Sequence, residues 1–230
     1  MNVAIIPARG GSKRIPRKNI KIFSGKPMIS YAINIAIKSK LFDSVIVSTD
    51  DEEVKKISLK YGALVPFKRP KKLSDDFALT ASVISHAIKK CDKIGFLFAN
   101  VCCIYPSVPF LTIDDIIRGY ALYQKNIDKF CFPVARHSSS ILRSLKLDEK
   151  NYITPFFSKN VVTRTQDLDK SFYDTGQFYW GHKKTWSNKK NIHGNAVGFT
   201  LPSWRAIDID DIDDWEKAEV LYKTFKADKF

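Results

Sequence analysis

The chain lacks most of the features that would settle its class at a glance. It has four cysteines in 230 residues: Cys102 and Cys103 are adjacent, Cys91 and Cys131 stand alone, and no C-x-x-C spacing exists for a metal or redox pair. His86, His137, His182 and His193 lack the i, i+4 spacing of a helical zinc site. No apolar run is long enough for a membrane-spanning helix, which needs roughly 18 residues, and the basic-then-apolar order of a secretory signal is absent. A P-loop is excluded because Gly25-Lys26 runs into Pro27, and the dinucleotide pattern G-x-G-x-x-G does not occur. There are no internal repeats or low-complexity segments. These absences predict a reduced, cytoplasmic protein with no membrane partner.

What the chain does have is charge of one sign. Lys and Arg number 38 against 24 Asp and Glu, a formal net charge of +14, which suits nucleic acid, an anionic membrane or an anionic substrate. Most of these cations are lysines in scattered pairs such as Lys55-Lys56, Lys71-Lys72 and Lys89-Lys90, the pattern of a solvated surface. A nucleic-acid binder would interleave basic residues with exposed aromatics, and that pattern is not seen, so no nucleic-acid partner is expected. The length predicts a single domain over residues 1–230, able to bury about 70% of its unfolded surface.

The exception to the scatter lies at the amino end. An apolar run from Val3 to Ile6 reads as a buried strand and breaks at Pro7 into a loop holding Gly10, Gly11 and Ser12 with Arg9, Lys13, Arg14, Arg17 and Lys18. Glycines let a backbone approach a ligand closely and present its N–H groups. Cations packed this densely repel one another, and an anion such as a triphosphate would relieve them; a solvated basic turn is the alternative.

Beyond the loop, Pro27 to Lys38 reads as a buried helix and Asp43 to Thr49 as a strand, with Asp50 as the cap of the next helix. A short strand at 63–66, a helix from Thr80 to about Lys90 and a central strand at Ile94 to Ala99 follow. A rigid two-proline loop, Tyr105 to Phe110, leads to a helix at Thr112 to Lys125 and a strand at Lys129 to Val134. This alternation predicts an α/β fold with a mostly parallel central sheet. The loops after its strands should face one crevice, where such sheets bind ligands. Between about 136 and 186 the rhythm changes to a hairpin, 141–147 with 152–157, in a small inserted β-containing lobe whose aromatics suit a subunit interface or a flap. Strands at 177–180 and 196–201 and a helix to about Tyr222 close the chain.

Before that last helix comes Ala206-Ile-Asp-Ile-Asp-Asp-Ile-Asp-Asp-Trp215. On an extended segment, Asp208 and Asp210 leave by the same face. Two hard oxygen donors side by side suit Mg²⁺, which takes carboxylate, phosphate and water together; helix capping is the alternative reading.

Taken together, these segments resemble the acylneuraminate (CMP-sialic acid synthetase) cytidylyltransferases over nearly the whole chain. The resemblance is carried by Pro7 to Ile20, Ser48-Thr-Asp-Asp51, Arg69-Pro with Leu73-Ser-Asp-Asp76 and Thr80, Arg164 to Leu168, Thr175 to Gly181, and Ile207-Asp-Ile-Asp210. Tyr105-Pro-Ser-Val-Pro-Phe-Leu111 and Thr175-Gly-Gln-Phe-Tyr-Trp180 look like the branch of the family that uses pseudaminic acid. The resemblance implies a Rossmann-like nucleotide-diphospho-sugar transferase fold. It implies activation of a nine-carbon keto sugar acid with CTP to give the CMP-sugar and pyrophosphate, for surface glycan or flagellin glycosylation. The N-acetylneuraminic, legionaminic and eight-carbon (Kdo) enzymes are the alternatives. It further implies that Arg9, Gly10, Gly11, Ser12, Lys13, Lys18 and Asn19 hold the triphosphate, while Arg69 and Thr80 enclose the nucleoside. Asp208 and Asp210 would carry Mg²⁺ and, with Lys13 and Lys18, act in catalysis. Arg143, Arg164 and Gln177 would meet the sugar acid, and a homodimer is the expected assembly.

Overall fold

β1 (Asn2–Pro7) shows how the fold is built: Val3 and Ile5 point to one side, Ala4 and Ile6 to the other, and all are buried. A strand covered on both faces needs helices above and below it. The computed structural model, which describes residues 1–188 and 191–227, supplies them. After β1 come β2 (Ile22–Phe23) and β3 (Lys26–Pro27), paired with each other, then α1 (Ile29–Lys38), β4 (Ser44–Ser48), α2 (Glu52–Lys60) and α3 (Thr80–Lys93). β5 (Asn100–Ile104), α4 (Ile113–Gln124) and β6 (Phe130–Arg136) follow. β7 (Leu145–Leu147) and β8 (Ile153–Pro155) form the hairpin expected around Asp148 to Asn151. β9 (Phe172–Asp174), β10 (Phe178–His182), α5 (Lys183–Asn188), β11 (Ala196–Leu201) and α6 (Ile212–Ala227) complete the order.

The main sheet runs β11-β6-β10-β5-β1-β4, with β9 added to β6. β1 is parallel to β4 and β5, and β6 is parallel to β11, whereas β10 lies antiparallel to both of its neighbours. α1 and α4 cover one face over Ala4, Ile6, Cys102 and Trp180; α3 and α5 cover the other over Val3, Ile5, Cys103 and Tyr179. Trp180 is fully buried and stacks on Phe42 at 5.1 Å and Tyr123 at 5.8 Å. Truncating such a ring to alanine costs about 3–5 kcal/mol. The four cysteines are free and buried, small hydrophobes in this core.

A third cluster joins the two ends of the chain. Ile15, from the basic loop, packs with Phe23, Met28, Phe110, Ile209, Trp215 and Tyr222. Edge-to-face contacts of Phe23 with Trp215 and Tyr222 lock α6 against the loop.

Four expectations are corrected. Ile94 to Ala99 is not a strand: Gly95 turns there with φ +87°, Ile94 and Leu97 are exposed, and the central strand is the next segment, Asn100–Ile104. Asp50 does not cap α2. Asp51 does, accepting from the amides of Glu53 and Val54. The strand at 63–66 reduces to an isolated parallel bridge, Leu64 with Ile46. The first helix starts at Ile29, because Pro27 belongs to β3.

Candidate active site

Parallel strands β1, β4 and β5 all end at one edge of the sheet, and antiparallel β10 begins there. Loops leaving or entering these four strands line a cleft of about 610 Å³, a volume suited to a small-molecule ligand. From the loop after β1 come Arg9, Ser12, Lys13, Arg14, Lys18 and Asn19; after β4 comes Arg69. Thr80 opens α3, and Tyr105 to Phe110 follow β5. Thr175, Gly176 and Gln177 precede β10, and Asp208 and Asp210 close the rim.

The basic loop is fixed by its own backbone and by Asp residues after β4. Gly10 donates its amide to Asp50 Oδ1 at 3.1 Å, and Asn19 Nδ2 donates to the carbonyl of Arg9 at 2.9 Å. Gly10 and Gly11 belong to this turn but are not among the residues lining the cleft. Arg17 stands apart from the other loop cations. It takes a left-handed backbone, φ 59°, and its guanidinium grips both carboxylate oxygens of Asp51, at 2.6 and 2.9 Å. That pairing raises the Arg17 pKa and holds the Asp51 carboxyl below its ordinary value. Arg17 therefore bolts the loop to α2, while Arg9, Lys13, Arg14 and Lys18 face the cleft.

Those four cations are held by the protein's own carboxylates. Asp76 pairs with Arg9 and with Lys13, each at 2.7 Å; Asp210 pairs with Arg14 at 2.9 Å and Lys18 at 3.6 Å. Lys18 also donates to the carbonyl of Ile209. Arg69 differs, being only 4% exposed, with Asp50 at 3.7 Å as its ionic partner. Its Nε and one terminal nitrogen are buried without a hydrogen bond among the described residues. Burial lowers its pKa. A buried guanidinium with idle donors is costly unless a ligand satisfies it.

Opposite the loop, Ile209 is buried in the third cluster and Ile207 packs against it, so Asp208 and Asp210 emerge into the cleft together. This is the alternation expected from sequence, although no strand forms there. The protein crowded around Asp208 and the like charge of Asp210 raise its carboxyl above the ordinary value. Among the described residues no three of His, Cys, Asp and Glu converge on one point. The two carboxylates could by themselves supply only part of a metal's ligands; Mg²⁺ is an ion that takes carboxylate together with phosphate oxygens and water.

Two of the sugar-side candidates lie elsewhere. Arg143 donates to Thr165 Oγ1 at 3.3 Å, and Arg164, with its side chain 71% exposed, pairs with Asp167 at 3.0 Å. Neither lines the cleft of its own chain. Sequence reasoning passed over Arg205, which lines the cleft beside Gln177 and pairs with Asp115, a residue of the Thr112 capping box. A single arginine in a Ser-Trp-Arg turn gives no signal in sequence. In sequence Tyr105 stands out only as the start of the two-proline loop and of the Tyr105 to Leu111 segment. Its hydroxyl meets Thr80 Oγ1 at 2.6 Å, and burial pushes its pKa up to about 12.

Comparison with known proteins places the chain in a family. The sequence pattern of a family described as Cytidylyltransferase matches residues 3–224. Pseudaminic acid cytidylyltransferase of Campylobacter jejuni subsp. jejuni serotype O:2 is 44% identical over 223 residues, covering 96% of each chain. N-acylneuraminate cytidylyltransferase of Escherichia coli O18:K1:H7 is 30% identical over 221 residues, covering 94% of this chain and 51% of that one. Among solved structures, CMP:2-keto-3-deoxy-manno-octonic acid synthetase complexed with CTP superposes with a TM-score of 0.72. It is 16% identical, with 97% of this chain and 98% of that one covered, a likeness of fold.

Proposed function

The chain belongs to the cytidylyltransferase family, and from that premise we propose that it activates a nine-carbon keto sugar acid, pseudaminic acid, with CTP. The products are the CMP-sugar and pyrophosphate. The carrying observation is a single cleft with Arg9, Lys13 and Lys18 on one wall and Asp208 and Asp210 facing them. The sugar's C2 hydroxyl attacks the α-phosphorus in line and gives up its proton to a carboxylate of the cleft or to water, while the bond from that phosphorus to the bridging oxygen breaks and pyrophosphate leaves with its electron pair. Such transfers need little covalent help; positioning and charge neutralisation carry them. Lys13 and Lys18 take up charge developing on the departing pyrophosphate. Arg9 holds the phosphate tail, and Arg69 and Thr80 enclose the nucleoside. Asp208 and Asp210 fit Mg²⁺, which when bound supplies further neutralisation of phosphate oxygens.

The lobe supports a homodimer. β7 and β8 are exposed along their length, with Leu145, Leu147 and Ile153 each 59–67% accessible and Tyr152, Phe156 and Phe157 beside them. A two-stranded ribbon is marginal alone and gains stability when its apolar face is covered. A second copy of the chain would cover it and would bring Arg143 and Arg164 towards a neighbouring cleft. CTP as co-substrate and buried free thiols suit a cytoplasmic setting.

The test is pyrophosphate release from each of CTP, UTP and GTP against a panel of nonulosonic acids and Kdo. Release with CTP and pseudaminic acid is expected to exceed every other pairing. A preference for another nucleotide, or no release with any sugar acid, overturns the reading.

A further inference from the structure

The apolar run Ile94-Gly-Phe-Leu-Phe-Ala99, whose composition predicts a buried strand, lies instead on the surface. Leu97 is 77% exposed and Ile94 52%, and Gly95 and Ala99 are exposed with them. The run is pinned in this pose. Phe96 and Phe98 are half-buried and pack against the core cluster beneath α3 and α5. The amides of Ile94 and Phe96 donate to the carbonyl of Cys91 at 3.2 and 3.0 Å, and that of Gly95 to the carbonyl of Asp92 at 3.2 Å. At the far end, the Ala99 amide donates to the carbonyl of Met1 at 3.1 Å, and the Ala99 carbonyl accepts from the amide of Lys183 at 2.8 Å. The two phenylalanines hold the run down, and Ile94 and Leu97 are left outward. Single hydrophobes on a surface need no explanation, but an unbroken, fixed run of them does.

Lysines stand on both sides of the run. Lys89, Lys90 and Lys93 are exposed near the end of α3, directly before it. Lys89 and Lys93 are four residues apart and so share one side of that helix. Lys183 and Lys184 open α5, whose first amide the Ala99 carbonyl meets. Lys183 Nζ lies 5.2 Å from the centre of the Phe98 ring and 2.5 Å from Asp92, so that acid is taken up within the patch. Lysine stems lie along apolar surface while their ammonium heads stay in water. Protein–protein contacts are anchored by tyrosine, tryptophan and arginine and are poor in lysine. This patch has the opposite composition. An ammonium is a point charge, suited to a diffuse field of anions rather than to paired recognition.

We infer that this face docks the protein on an anionic membrane surface. Ile94 and Leu97 dip into the boundary between head groups and acyl chains, and the lysines around them meet anionic head groups. Aliphatic side chains flanked by lysine are the chemistry of a contact that lies in the interface, and each lysine near an anionic leaflet adds to it. No helix among the described residues is long and apolar enough to cross a membrane, which is the ground on which the sequence excludes a membrane partner. A contact at the surface needs no crossing. The run enters β5 at Asn100, whereas the cleft takes up Tyr105, beyond the other end of that strand. Five residues of strand span roughly 17 Å, so a docked molecule keeps its cleft open to the aqueous side.

The experiment pellets the full chain with vesicles of phosphatidylcholine alone or of an equal mixture of phosphatidylcholine and phosphatidylglycerol, at low and at high salt. Binding to the mixed vesicles is expected at low salt, weakening as salt rises, with little binding to the neutral ones. Ile94→Ser with Leu97→Ser leaves the charge unchanged and should weaken binding at least about tenfold. Lys90→Gln with Lys93→Gln should weaken it about thirtyfold. Lys217→Gln with Lys223→Gln removes the same charge from exposed positions on α6 and should leave binding nearly unchanged. All these side chains are exposed, so melting midpoints should stay with the parent. No binding to the mixed vesicles, or equal binding to both kinds, overturns the proposal. So does full binding by the serine variant, or an equal loss from the α6 pair, since either leaves only diffuse attraction by the net charge. A solution mass that falls in the serine variant would show that a second copy of the chain covers this face, and overturns it too. Pelleting reads binding and not turnover, so these outcomes stand apart from the proposed reaction.

Discussion

Gly10→Ala is the most direct test of how the basic loop is held. A methyl built on Gly10 lies 2.6 Å from Asp51 Oδ2 and 2.8 Å from its Cβ, whereas one on Gly11 meets nothing within 4 Å. Asp51 cannot retreat freely, since it caps α2 and is gripped by Arg17. Pushing it aside loses an N-cap, about 1 kcal/mol. Crowding in a packed site adds about 1–3 kcal/mol. The Arg17 pair, whose side chains are 39% and 21% exposed, adds at most about 1 kcal/mol after solvent screening. A total of about 2–5 kcal/mol lowers the midpoint of a chain this size by roughly 4–20 °C. Thermal unfolding followed by circular dichroism should show that fall for Gly10→Ala and almost none for Gly11→Ala. KM for CTP should rise in the former as the loop shifts. In an Asp51→Gly background the obstructing side chain is gone, and the cost of Gly10→Ala should shrink to that of Gly11→Ala. Equal falls for the two glycines, or an undiminished cost in that background, would refute the argument.

Asp210→Ala with saturating CTP and Mg²⁺ should lower turnover at least about a hundredfold, the scale for losing an electrostatic group at a reacting centre; turnover within a few-fold of the parent would end the metal proposal. Chelation should stop pyrophosphate release and added Mg²⁺ restore it. His86 packs edge-on against Phe67 and its pKa is lowered, first by burial and then by Lys90, Arg69 and Lys72. Its folded-state pKa lies below the unfolded value of about 6.5, so its stability contribution is full above that pH and is lost as pH falls through the folded pKa. Melting midpoints between pH 8 and 5 should fall less steeply in His86→Gln, and identical slopes would count against the assignment. Leu147→Asp with Ile153→Asp should halve the mass seen by light scattering while leaving the secondary structure intact. An unchanged mass would remove the hairpin from the dimer contact.

The layout of the site was legible because its residues obey local rules. Burial of Ile209 in the third cluster turns its neighbours Asp208 and Asp210 into the cleft even without a strand, although the half-buried Ile207 lines the cleft beside them. Strand position was less legible. Ile94 to Ala99 is the more apolar run, yet the sheet uses Asn100–Ile104. Asn100 bridges Asn2 and the Tyr123 hydroxyl there, and small cysteines fit beside the Trp180 ring. Those are tertiary constraints that hydropathy does not carry. The choice of Asp51 over Asp50 as cap turned on a neighbour forty residues away, since Gly10 claims Asp50. Nothing local marks Arg17 as a strut while Lys18 faces the cleft, because the left-handed turn at residue 17 sends their side chains apart. Arg205 owes its place to Asp115, ninety residues earlier in sequence.

The reversed direction of β10 has a consequence for how such a protein can change. The chain between Arg136 and Phe172 leaves the sheet at the rim and rejoins it there through β9 and then β10, so this stretch hangs from the frame as a cassette. Residues can be gained, lost or exchanged along it while the parallel strands keep their register. The basic half of the cleft comes from the frame, and part of the opposite wall, Thr175 to Gln177, comes from the cassette's return. Diversification of the acceptor can thus proceed without rebuilding the nucleotide's seat.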